Sequence, residues 1–232
     1  MTSILSRVAA EISALFSPIG QILADLQVQV RALQEIGFFG SDHLEVMSQQ
    51  VETVVARALR DFERTVVGAG FAWIGVDEDN GMLWWRAEGG GVTPKFHVSN
   101  PEADAFYDYR SSEWFQLALE SDGVVAAGPF IDAWGTDDHA LTPALRVTKA
   151  DGLTLGVVSV DLNIHEMTAQ LSNILRPSTN IILVNQDGHV VAANQPLLTP
   201  GLRIEPFIEN HQLKVLDEMP VLITGWKVIE IA

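Results

Sequence analysis

Apolar residues recur at spacings of three and four along the first quarter of the chain. Ile4, Val8, Ile12, Leu15, Ile19, Ile22, Leu26, Val30 and Leu33 form one stripe, and residues 3–66 are predicted to be helical. Pro18 falls inside the stripe and is expected to end or kink the first helix, because proline lacks an N–H and its ring crowds the preceding turn. Gly37-Phe-Phe-Gly40 reads as a stop signal. Ser41 then reads as the N-cap of a second helix whose stripe is Leu44, Met47, Val51, Val54, Val55, Ala58, Leu59 and Phe62. Such helices could pack on a sheet. A stripe this long is also hard to bury within one small domain, so a homodimer through the N-terminal helices is expected.

The pattern changes at Gly68. Phe71-Ala-Trp-Ile-Gly-Val76 and Met82-Leu-Trp-Trp-Arg86 flank Asp77-Glu-Asp-Asn-Gly81, and Asn-Gly between two apolar runs predicts a hairpin. Gly89-Gly-Gly91 reads as a turn. Residues 102–121 read as a helix. Val124–Ile131, Ala140–Thr148 and Leu153–Leu162 read as strands, the last two joined at Asp151-Gly152, and Ile164–Leu175 as a helix stopped before Pro177. The strand-turn-strand pattern then returns at Asn180–Val184, Asn185-Gln-Asp-Gly188 and His189–Ala193. Gln212–Leu216, a turn at Asp217-Glu218 and Val221–Ile231 complete a smaller sheet. The fold class is therefore α+β: a helical region at 1–66, a larger module at 67–176 and a smaller one at 177–232.

Composition narrows the classes of function. The 232 residues are 47% hydrophobic, as a folded chain requires, and carry 30 acids against 14 bases, a formal net charge of −16. That balance argues against nucleic acid and against anionic membrane surfaces as partners. Cysteine is absent, so there is no disulfide framework or thiolate metal site. With neither a signal-peptide pattern nor a long apolar run, a cytoplasmic location is expected.

Candidate chemistry gathers in one stretch. Phe106-Tyr-Asp-Tyr-Arg-Ser-Ser-Glu-Trp-Phe115 offers Tyr107, Trp114 and Phe115; Gly128-Pro-Phe-Ile-Asp132 offers Phe130 and Asp132; Gly156-Val-Val-Ser-Val-Asp161 ends on Asp161. Aromatics with carboxylates make a pocket suited to a cation. Trp114 and Phe115 can equally be core residues, and Asp161 can be a helix cap. His165-Glu-Met-Thr-Ala169 lacks the second histidine of a zinc-protease helix, and no nucleophile-base pair or dinucleotide fingerprint is present. No cofactor and no metal is expected.

On these residues the chain resembles the double Cache sensor family, tandem PAS-like modules preceded by a long helix. The family's pocket helix often reads Asp-Pro-Arg-x-Arg-Pro-Trp-Tyr; here the line is Asp108-Tyr-Arg-Ser-Ser-Glu-Trp-Phe115. The resemblance implies two PAS-like antiparallel modules, a small-molecule ligand that is an amine or amino-acid-like, and a signalling partner protein. It implies no enzymatic activity; an enzyme using an Asp base and a non-sensing scaffold are the alternatives. It implies that Asp132 and Asp161 accept hydrogen bonds from a ligand ammonium. The arginine that holds a ligand carboxylate in the amino-acid-sensing branch is Ser112 here, so an amine is expected over an α-amino acid.

Overall fold

Two strands far apart in the chain pair to form the centre of the fold. Val66–Trp73 (β1) runs antiparallel to Thr154–Asn163 (β6). The structure, a computed structural model, describes residues 3–75, 79–98, 102–103, 106–131, 139–178, 180–222 and 224–232, with the side chains of 129–131 and 139–140 outside that description. Gly81–Glu88 (β2) and Gly91–Lys95 (β3) extend the sheet on one side, and Val125–Ile131 (β4) and His139–Thr148 (β5) on the other. The order is β3-β2-β1-β6-β5-β4, antiparallel throughout. A second, four-stranded sheet has the order β8-β7-β10-β9, from Ile181–Val184 (β7), Val190–Ala193 (β8), Val215–Pro220 (β9) and Lys227–Ile231 (β10). The expected α+β class, helices followed by two antiparallel sheets, is what the chain forms.

Ile4–Glu35 (α1) and Leu44–Asp61 (α2) cover one face of the first sheet, and α1 continues onto the second. The stripe of α1 is buried from Leu5 to Leu33, against β5, β6, β9, β10 and α2. Burial is worth about 1.5–3 kcal/mol for each such side chain, so α1 is held by packing rather than by helix propensity. The chain thus covers its own stripe, whose length gives no argument for a dimer.

Other expectations need correction. Pro18 neither ends nor breaks α1; it lies on the exposed side, while Phe16 and Ile19 anchor the helix on either side of it. The carbonyl whose donor proline removes lies on that same wet side, at Ala14. Ser41 is not a helix cap: it opens a short 3₁₀ turn, and its N–H and hydroxyl both donate to the Asp79 carboxylate. Residues 102–112 are not continuous helix; only Glu113–Glu120 (α3) is, preceded by a 3₁₀ turn at Tyr109–Ser111. Asp217-Glu218 lies inside β9 rather than in a turn, and Ile204–Asn210 (α5) is an additional helix. Ile164–Leu175 (α4) is as expected, and its cap is Asn163, whose side chain accepts from the N–H groups of His165 and Glu166. Asp161 is therefore a strand residue and not the cap.

Candidate ligand-binding site

The face of the first sheet turned away from α1 and α2 is roofed by α3. Ala72 of β1, Val157 of β6, Ala144 of β5 and Val125 and Ala127 of β4 form its floor under Trp114, Phe115 and Ala118. Small residues on the strands leave room for the large rings above them. Ser112, with φ −70° and ψ 146°, breaks the backbone out of the preceding turn and lets α3 begin. Tyr109 turns inward beneath it, and its hydroxyl donates to the Trp73 carbonyl at 2.9 Å. Burial pushes the Tyr109 phenol up to about 12, against the opposing pull of the Arg110 charge. The Phe115 ring meets Tyr109 and Trp114 edge-on, with centroids 5.3 and 5.4 Å away.

Of the residues expected to line a pocket, Trp114 and Phe115 are brought together and are buried. Tyr107 packs against the same cluster from the segment before α3, not from the helix, and its ring lies 4.9 Å from that of His97. Burial, followed by the nearby Lys95 charge, lowers His97 to about 4. Asp161 lies on the same sheet face, four residues beyond Val157, and accepts a hydrogen bond from the Thr142 hydroxyl at 2.8 Å. Phe130 is in β4, with its side chain outside the description, and Asp132 lies outside the described residues.

The structure adds residues that sequence reading missed. Ser159, between Val157 and Asp161 on β6, is fully buried, and its hydroxyl has no hydrogen-bond partner. Buried hydroxyls are nearly always partnered, and this one is an exception on the α3-roofed face. Trp84 of β2 lies over Gly68 and Gly70 of β1: a Cβ on Gly70 would come 2.6 Å from the indole and 2.1 Å from the Leu83 carbonyl. Glycines at alternate positions of a strand signal such a close approach, and Gly68-Ala-Gly70 carries that signal in the sequence. On the second sheet, the face bearing Ile182, Val184, Val190, Ile229 and Ile231 is closed by Leu198 and Ile204, with Phe207 packed beside them, all apolar. Of these two faces, the first sheet's therefore gathers the polar groups.

The chain matches no protein-family model. Its fold is similar to that of the ligand-binding domain of the Campylobacter jejuni chemoreceptor Tlp3 in complex with L-valine, with a TM-score of 0.64 and 13% identity over 100% of this chain and 90% of that one. It is also similar to the ligand-binding domain of the Pseudomonas aeruginosa PAO1 amino acid chemoreceptor PctC in complex with GABA, at TM-score 0.58 and 19% identity over 99% and 96%. The likeness is one of fold: a long N-terminal helix carrying two antiparallel sheets, as in chemoreceptor sensory domains. Among the described residues no helix is long and apolar enough to cross a membrane, and no cluster of metal-ligating side chains occurs.

Proposed function

We propose that the chain is a Cache-type sensor module that binds a small amine-containing metabolite on the α3-roofed face of the first sheet and passes the bound state to a partner or effector without catalysis. The observation that carries the reading is the convergence on that face of a ring cluster, a buried hydroxyl without a partner and a hydrogen-bonded carboxylate. Aromatic faces and an acid are what an ammonium group needs to leave water. The sensory domains of similar fold that hold L-valine and GABA, both amines, support it.

A homodimer through α1 belongs to the same reading. Its support is the outward side of the helix, where Ala10, Ala14, Ser17, Gln21, Ala24 and Val28 alternate at spacings of four and three, the period of a helix-pairing seam. Binding would bias the position of α3, and that bias would reach α1 through the sheet between them.

The test is calorimetric titration of the purified chain with a panel of amines, amino acids and small carboxylates. Saturable binding of at least one amine-containing compound, lost on Asp161→Asn with the melting temperature preserved, is expected. A panel without any binding would overturn the proposal.

A further inference from the structure

The open edge of the first sheet is held by a loop of the second module. β4 has a strand neighbour on one side only, and its ladder with β5 is irregular between Ala127 and Phe130. On the other side stands the loop that joins β9 to β10. Ala126 donates its N–H to the Thr224 carbonyl at 2.9 Å, and the Trp226 indole donates to the Ala126 carbonyl at 3.1 Å. The loop is braced within itself. The Thr224 hydroxyl donates to the Val221 carbonyl at 3.3 Å and accepts from the Trp226 N–H at 3.1 Å, while Val221 donates to the Trp226 carbonyl at 2.8 Å. Thr224, Val221 and Trp226 are all buried. A buried network with its polar groups satisfied is stiff, so these residues move together.

The same loop grips α1. Leu222 donates its N–H to the Ser13 hydroxyl at 3.0 Å, that hydroxyl donates to the Ala9 carbonyl at 2.7 Å, and the Trp226 ring meets Phe16 edge-on. β4 in turn bears on the roofed face: Val125 and Ala127 lie under the α3 rings, while Ala126 between them joins the core on the α1 side. One edge strand therefore carries part of the site floor on one face and the attachment of the loop along its free side. The C-terminal half of α1 is held differently. There Gln27 and Arg31 donate to the Arg146 and Thr148 carbonyls of β5. β5 is laddered on both sides, by β6 and β4, and opens less readily than an edge strand.

We propose that the β9–β10 loop is a relay built into the fold: it ties β4, and with it the floor beneath α3, to the N-terminal half of α1, so that a shift of α3 changes the hold on Ser13 and Phe16. This rests on the sensor reading above, which supplies the reason for α3 to move. It names the route as the edge strand and the loop rather than the packing of α1 on the middle of the sheet.

The test needs no ligand. Native-state hydrogen exchange is followed in residues 9–20 and 26–33 of α1, and the ratio of the two rates removes the part common to the whole chain. Phe115→Leu loosens α3 on β4, and Leu117→Ala, at a half-buried position against the same cluster, is a milder second perturbation. Either should raise exchange of 9–20 relative to 26–33 by at least about threefold. Trp226→Phe combined with Ser13→Ala removes one tie of the loop to β4 and one to α1. On that background the same perturbations should raise the ratio by less than about 1.5-fold. A larger rise there, or a ratio that neither perturbation moves in the otherwise wild-type chain, would overturn the relay. A response confined to 26–33 also overturns it, and assigns the coupling to the direct contact of α1 with β5. None of these outcomes touches the sensor reading, which falls only if the panel of amines, amino acids and carboxylates is silent.

Discussion

Replacing Trp226 should loosen the junction between the two sheets, and the size of the effect follows from its burial and two contacts. The indole is 1% exposed. Its Nε1 donates to the Ala126 carbonyl at 3.1 Å, and its ring meets Phe16 of α1 edge-on at 5.2 Å. β4 is the edge of the first sheet, and the N–H and carbonyl of Ala126 both point outward, away from β5. The outer side of β4 is closed instead by the loop before β10: Ala126 donates to the Thr224 carbonyl at 2.9 Å, and Trp226 supplies the donor for the Ala126 carbonyl. Trp226→Phe keeps most of the apolar bulk but strands that carbonyl, which costs about 1–3 kcal/mol. Trp226→Ala adds a cavity and should cost about 3–5 kcal/mol. Urea unfolding followed by far-ultraviolet circular dichroism avoids the fluorescence that the substitution itself removes. A double-mutant cycle with Phe16→Leu should give a coupling of about 0.5–1.5 kcal/mol. If Trp226→Phe changes stability by less than about 0.5 kcal/mol, the hydrogen bond is not what seals the edge strand, and the reasoning fails.

Two more predictions concern the site face. Gly70→Ala places a methyl 2.1 Å from the Leu83 carbonyl and 2.6 Å from the Trp84 ring, so β2 must shift, at a cost of about 1–3 kcal/mol. A thermal melt of this variant indistinguishable from wild type would mean that the indole does not lie on β1. His97 sits at about 4 in the folded chain against an ordinary 6.5, so between those values the unfolded chain binds the extra proton. Stability is therefore full above about pH 6.5 and falls as the pH drops, by about 2 kcal/mol between pH 7 and pH 5; His97→Gln should remove that part of the slope in urea titrations, and an unchanged slope would refute the assignment.

Local pattern alone determined much of this protein. The stripes of α1 and α2, the hairpin across Asn80-Gly81 and the Asp151-Gly152 turn are written in neighbouring residues, because their contacts lie within one helical turn or one tight loop. Trp114, Phe115 and Asp161 were legible as site candidates from residue type and spacing, and they share the face under and beside α3. Pro18 does not end α1, because contacts on both sides of the proline hold the helix continuous through it. The tertiary structure alone decided that β1 pairs with β6, a partnership across a long stretch of chain that no periodicity encodes. From that pairing and the β1–β2 hairpin follow the positions of Trp84 and Ser159. Each looked ordinary in sequence, because a strand's alternation tells which residues share a face but not which strand lies beside it. Which side chains share a face is set by register, and register is set by the packing of the whole sheet against α1 and α2.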